Sequence, residues 1–403
     1  MTTETLEPPS LAEPTNNRGF NVRTLSLVGL LVVIAVTFHF LSGGLFLSAR
    51  NLYNLVVQTS VVAILACGMT LVIVTRNIDL SVGSVLGCVG MVIAMLQIEI
   101  FPQDAAWNWP LTVAIGIGLG ALIGAWHGVW IAYFGVPSFV VTLGGLLIFR
   151  GAAFEVAQGK TLAPFDPVYR LFGGGIDGAL GVGPSWALFA IIMVLYGLGE
   201  ILVHRRQMRL GFDSTVRTKL LRFFAVFVVA AAFVATMNSY MKPRSDIGRG
   251  IPVPALVLLS VVLFMEFVTR FTTFGRYIFA IGGNIEAARL NGIPTRRTVL
   301  KVFIAMGVLC AIAAVVTTAR LNAGTSSTGE LLELSAIAAA VIGGASLSGG
   351  RGTIAGAVVG ALIIQSLESG MVLIGASSSQ RMVAIGLVLM VAVLADKYLS
   401  GEE

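Results

Sequence analysis

Charge is scarce in this chain. Only 11% of its 403 residues are Asp, Glu, Lys or Arg, against about a quarter in a soluble globular protein. With 56% of residues hydrophobic, a water-soluble fold has too little polar surface to cover the remainder, so lipid is the solvent for most of the chain. Cysteine is nearly missing. Cys67, Cys88 and Cys310 each lie inside an apolar run, without disulfide-framework or metal-ligand spacing. His39, His127 and His204 are scattered, and none has the close partner of a zinc motif. No serine–histidine–acid grouping or pair of carboxylates points to catalysis. A phosphate-binding loop is missing as well. Gly159-Lys160-Thr161 has the end of one, but Phe154 stands where its leading glycine is required. The chain therefore carries no ATPase, and ATP and magnesium, if used, belong to another polypeptide.

What is present is a succession of apolar runs. Crossing the hydrocarbon core takes about 20 residues of helix. The runs at 25–47, 51–75, 79–98, 109–133, 137–154, 184–203, 219–240, 252–270, 299–320, 331–348, 352–374 and 379–396 predict an all-α polytopic bundle of about twelve spans. The fifth and tenth are short and are expected to be broken or re-entrant. Residues 1–22 hold Glu4, Glu7, Glu13 and three prolines. They lack the basic start and apolar core of a signal peptide and read as a disordered tail. The membrane domain then covers 23–396, with a second short tail at 397–403.

Two basic loops set the orientation. Loop 204–222 holds Arg205, Arg206, Arg209, Arg217, Lys219 and Arg222 against Asp213. Loop 271–298, with its borders, holds Arg270, Arg276, Arg289, Arg296, Arg297 and Lys301 against Glu286. The net charge of +6 is explained by such loops, which face the cytoplasm and anionic headgroups, without invoking nucleic acid. Both termini then fall inside. Lys242, Arg244 and Arg249 fall outside and break the pattern. Gly116, Gly120, Gly124 and Gly128, and again Gly352, Gly356 and Gly360, repeat every four residues, which makes a smooth ridge for a neighbouring helix.

Three segments carry more than packing. In Thr75 to Ser84, Arg76 and Asp79 are spaced to pair across a helical turn. Equally, Asp79 or Ser81 accepts from the backbone N–H groups that open the third span. A broken segment lining a solute path is as good a reading as a plain loop. In Thr272 to Lys301, glycines punctuate two short amphipathic stretches, and Gly292 with Pro294 ends the second. The mixture of small, apolar and glycine residues fits a surface on which another protein docks. From Glu333 to Gly352, Gly343, Gly344, Gly349, Gly350 and Gly352 make a breakable helix, tolerable only beside protein or water. Gln365 and Glu368 fit the same cavity, whereas Glu333 fits the outer interface. Ile78 to Gly87 and Ala345 to Gly356 share Leu-Ser followed by glycine, a hint of duplication.

Together, Ile78-Asp79-Leu80-Ser81-Val82-Gly83-Ser84, Pro137 to Gly144 with Arg150-Gly151, Phe274 to Ile293 and Ile337 to Gly352 resemble the monosaccharide permeases of ABC importers, the group of ribose, galactose and xylose permeases. An additional basic hairpin between about 184 and 250 resembles the xylose type. The resemblance implies a permease homodimer, a cytoplasmic ABC ATPase subunit, a periplasmic sugar-binding protein and residence in a bacterial inner membrane. It places Asp79, Ser81, Phe139 and Thr142 by the translocation pathway, to which the residue reading adds Gln365. It makes Gly275, Arg276, Gly283, Asn284, Ala287 and Gly292 the ATPase coupling surface. The scarcity of charge in the spans fits neutral cargo. Two rivals are an ion-coupled secondary transporter, with Asp79 or Glu368 as its carrier, and a membrane-embedded enzyme or scaffold.

Overall fold

A computed structural model describes residues 22–210 and 216–400; residues 1–21, 211–215 and 401–403, which include most of the expected N-terminal tail, lie outside it. The described residues form α1 (Val22–Leu41), α2 (Ala49–Val74), α3 (Val82–Met95), α4 (Asn108–Ala132), α5 (Ser138–Ala157), α6 (Val182–Arg209) and α7 (Val216–Ser239). They continue with α8 (Val253–Phe271), α9 (Thr273–Gly283), α10 (Ile285–Leu290), α11 (Thr295–Leu321), α12 (Leu332–Ile342), α13 (Ile354–Leu373) and α14 (Ser378–Ser400). A π-helical turn, Leu96–Ile100, extends α3.

Among the described residues nine helices are long and apolar enough to span a bilayer, and α1, α12 and α14 contribute shorter apolar stretches. These fall on the expected segments, with four differences. The fifth is a full helix of 20 residues rather than a short one. The third starts at Val82, so 79–81 are not helical. The last helix continues through the expected tail to Ser400. Most of the expected basic loop 204–222 is helical, in the last turns of α6 and the first of α7.

The centre is α2, with 89% of its most apolar stretch buried. Its sequence from Val61 to Val74 is apolar or small on every side, as a helix surrounded by others must be. Around it pack α8, α11, α12 and α13. The ridge on α4 meets α11 backbone to backbone: a Cβ at Gly120 would collide with the Gly307 carbonyl oxygen, and one at Gly124 with that of Phe303. Gly116 instead faces Ile93 and Val89 of α3. The second ridge is only partly helical. Gly356 and Gly360 admit the Gly343 and Ala339 carbonyls of α12, but Gly352 precedes α13 and faces Val74 and Thr70 of α2.

The hairpin α6–α7 stands at the periphery, with only 6% and 11% of its two apolar stretches buried. Ring contacts, Tyr196 stacked on Phe223 and Phe189 edge-on to Phe227, hold its arms together. Its root is anchored where Met237 packs with Tyr53 and Val57 of α2. Two of the three bases that break the charge pattern have local partners here. Arg249 is buried, its guanidinium 4.1 Å from the Tyr240 ring and 5.5 Å from that of Tyr53. Lys242 pairs with Asp177 at 3.1 Å. Arg249 is thus held by local packing and Lys242 by a partly exposed ion pair, while Arg244 is exposed.

Candidate translocation path and docking face

Two breaks in the helices create the polar interior. The first is 75–81. Arg76 adopts φ 62°, which turns its side chain away from Asp79, and the expected Arg76–Asp79 pair does not form. Instead Arg76 donates from Nε to the Gly282 carbonyl at 2.8 Å and from Nη2 to that of Gly283 at 2.7 Å. Asp79 is 3% exposed and has no ion-pair partner among the described residues. Its Oδ1 accepts from the backbone N–H of Ser81 at 2.9 Å and from the Ser81 hydroxyl at 2.6 Å, a turn that shortens the break and launches α3.

Thr142 joins this break from α5, donating to the Ile78 carbonyl at 3.3 Å and to that of Ser138 at 2.9 Å. Ser138 in turn accepts from the Ile78 N–H at 3.2 Å. Phe139, on the same first turn of α5, is 55% exposed and does not join the group. His127 on α4 is buried against Gly145 of α5, and its Nε2 has no hydrogen-bond partner.

The second break follows α11. Gly324 packs on Ala94 and Met91 near the end of α3, Thr328 lies against Gly87, and Gly329 against Gly83 in the first turn. The chain therefore descends along eleven residues of α3, about 16 Å at 1.5 Å per residue, before α12 begins inside the bundle. Irregular backbone at that depth needs internal hydrogen-bond donors. Arg150 of α5 supplies them: Nη1 donates to the carbonyls of Ser326 and Thr328, each at 2.9 Å. Leu331, at φ 62°, turns the chain into α12. Glu333 is 7% exposed, and its Oε2 lies unpartnered at the position a Gly83 side chain would occupy. It is an interior residue, not one at the outer interface, because the chain enters the bundle before α12 starts.

Beyond Ile342 the glycine-rich segment is not helical, as its composition predicts. Gly350 donates to the Val74 carbonyl at 3.0 Å, and Gly349 lies against the Arg76 side chain. The glycine-rich segment thus meets the end of α2, just before the segment with which it shares Leu-Ser-glycine. Gln365 is buried on α13, donating to Glu368 Oε2 at 2.8 Å; no hydrogen bond joins it to Asp79.

The same end carries α9 and α10, the two short helices expected. Thr272 caps α9 through the Gly275 N–H at 3.2 Å, and Asn284 caps α10 through the Ala287 N–H at 2.9 Å. Gly275 is buried where the Val268 and Thr269 carbonyls crowd it, and so fixes the bend after α8. Arg276, Gly283, Asn284, Ala287 and Gly292 are exposed, and Gly292 adopts φ 77°. Leu290 is 86% exposed and Ile285 48%.

Arg150 and His127 are the residues whose roles the sequence reading missed. A lone arginine inside an apolar run is a signal, because charge there persists only when it is paired or lies against backbone carbonyls. The unpartnered His127 has no comparable mark. Gly159 and Lys160 follow a helix, α5, and no strand, so the phosphate-loop likeness has no structural basis.

The chain is similar to known proteins over most of its length. The xylose transport system permease protein XylH of Escherichia coli strain K12 is 38% identical over 406 residues, 96% of each chain. Its namesake from Haemophilus influenzae is 39% identical over 382 residues, 94% of this chain and 97% of its own. The ribose import permease protein RbsC of Escherichia coli strain K12 is 34% identical over 373 residues, 92% of each. No solved structure matches. The family described as branched-chain amino acid transport system / permease component matches residues 51–394, from α2 into α14. The chain belongs to that family, as a membrane-embedded permease component and not an enzyme.

Proposed function

We propose that this permease imports a neutral monosaccharide, xylose first among them, across a bacterial inner membrane, powered by a separate ABC ATPase seated on α9 and α10. The observation that carries the docking role is Leu290. A leucine 86% exposed, on a capped helix rimmed by Arg289, Arg296 and Arg297, presents apolar surface to water unless a partner covers it. The cargo follows from the relatives' names, which are xylose and ribose permeases. In this reading the basic end faces the cytoplasm, both termini with it. A periplasmic sugar-binding protein delivers cargo at the opposite end, and a second copy of the permease completes the transporter. ATP and magnesium sit on the ATPase. Asp79, Ser81 and Thr142 brace the break beside the path, and Phe139 faces a neighbouring surface.

Gly283 supplies the test. A Cβ there meets nothing within 4 Å, so Gly283→Trp leaves the fold intact while filling the docking face. The assembled transporter should then lose at least tenfold in ATP-dependent xylose uptake. Unchanged coupling of hydrolysis to uptake would remove the docking role. Leucine uptake in place of xylose would reassign the cargo to the amino acids that the family description names.

A further inference from the structure

At the end of the bundle away from α9 and α10, a cavity of about 260 Å³ opens between α12, α13 and the start of α14. Glu330, Leu331, Ser335, Glu368, Ser378 and Arg381 line it. It reaches the first turn of α12, which begins inside the bundle, as the broken helices of transporters do around a bound solute. The cavity is a little below the ~300 Å³ at which pockets for drug-sized ligands start. It is large enough for one sugar ring.

Its chemistry is that of a hydroxyl-rich, uncharged guest. Glu368 Oε1 and Arg381 Nη1 are 3.8 Å apart, too far for a direct hydrogen bond but well placed for a hydroxyl to bridge. With Glu330 in the same lining, two carboxylates stand against one guanidinium, so an anionic guest is repelled and a neutral one is not. Arg381 Nε is buried with no acceptor, a donor already stripped of water that a sugar oxygen would satisfy. Gln365 holds the carboxylate from behind at 2.8 Å. Leu331, Leu332 and Met382 give the apolar flank against which the C–H face of a pyranose lies. We infer that this cavity is a transit site in which a monosaccharide is held by Glu368 and Arg381 after its delivery from outside. The inference rests on the sugar-import reading above and assigns that cargo its place.

The three native cysteines are all buried, which provides a test that leaves the cavity's charged groups untouched. Ser378→Cys, at the exposed mouth, is assembled with the ATPase and binding protein in liposomes and labelled from outside with an impermeant maleimide. Millimolar xylose should slow labelling about fivefold, and equimolar leucine should not. In parallel, Glu368→Gln should lower xylose uptake tenfold or more while ATP hydrolysis still responds to the loaded binding protein. Labelling indifferent to xylose, together with wild-type uptake by Glu368→Gln, overturns the transit site even though the transporter imports sugar. Protection by leucine alone overturns the sugar assignment of the cavity. Wild-type liposomes that accumulate no sugar would instead sink the import reading itself, an outcome separable from the other two.

Discussion

Arg76 and Gly282 are joined by a guanidinium-to-carbonyl hydrogen bond of 2.8 Å, which ties the broken end of α2 to the end of α9. Gly349 lies on the same arginine, and Gly350 bonds the last turn of α2. Three segments distant in sequence thus converge where an ATPase would push. Arg76→Ala removes two charge-assisted bonds, and because the side chain is exposed the loss of stability should be small, about 1 kcal/mol. Coupling should suffer more. Hydrolysis by the assembled transporter is expected to become insensitive to the binding protein, as a steady-state ATPase assay with and without it would show.

Arg150 tests the second break. Arg150→Met keeps much of the side chain's bulk and leaves the Ser326 and Thr328 carbonyls without their donor in the bundle. Each unsatisfied group costs about 1–3 kcal/mol, so the thermal midpoint in detergent should fall by several degrees. Equal midpoints for the two proteins would show that water, not Arg150, serves these carbonyls.

The α4 ridge offers a paired comparison on one helix. Gly124→Val drives a side chain into the Phe303 backbone, whereas a Cβ at Gly118 meets nothing within 4 Å. Overpacking of this kind costs about 1–3 kcal/mol. Folded yield by size exclusion should drop for Gly124→Val and hold for Gly118→Val.

At the root of the hairpin, Arg249→Ala removes the cation from above Tyr240 and Tyr53. About 1–2 kcal/mol is at stake for a desolvated contact. Hydrogen exchange in Val216–Ser239 should accelerate, while exchange in the central α2 stays unchanged.

How much of this was legible depended on how local its causes were. The two short helices α9 and α10 were readable because Thr272, Asn284, Gly292 and Pro294 act on their own neighbours. The α4 ridge was readable because a spacing of four is a property of one helix. The spacing of Arg76 and Asp79 suggested an ion pair. A left-handed residue and an acceptor at Gly282, more than two hundred positions away, redirected the side chain. The descent of 324–331 along α3 depends on Arg150 and on the bare surface at Gly83 and Gly87, so nothing within that segment announces it. Glu333 was misplaced for the same reason. The bases near Lys242 were a charge count until Tyr53, Tyr240 and Asp177 came beside them.

The contact of Gly120 with Gly307 limits how the protein can change shape. With no side chain between the two backbones, there are no rotamers to reset and no slack to take up, so α4 cannot slip past α11 without steric collision. This pair is a strut. Any change of shape in the transporter is then expected to carry α4 and α11 together.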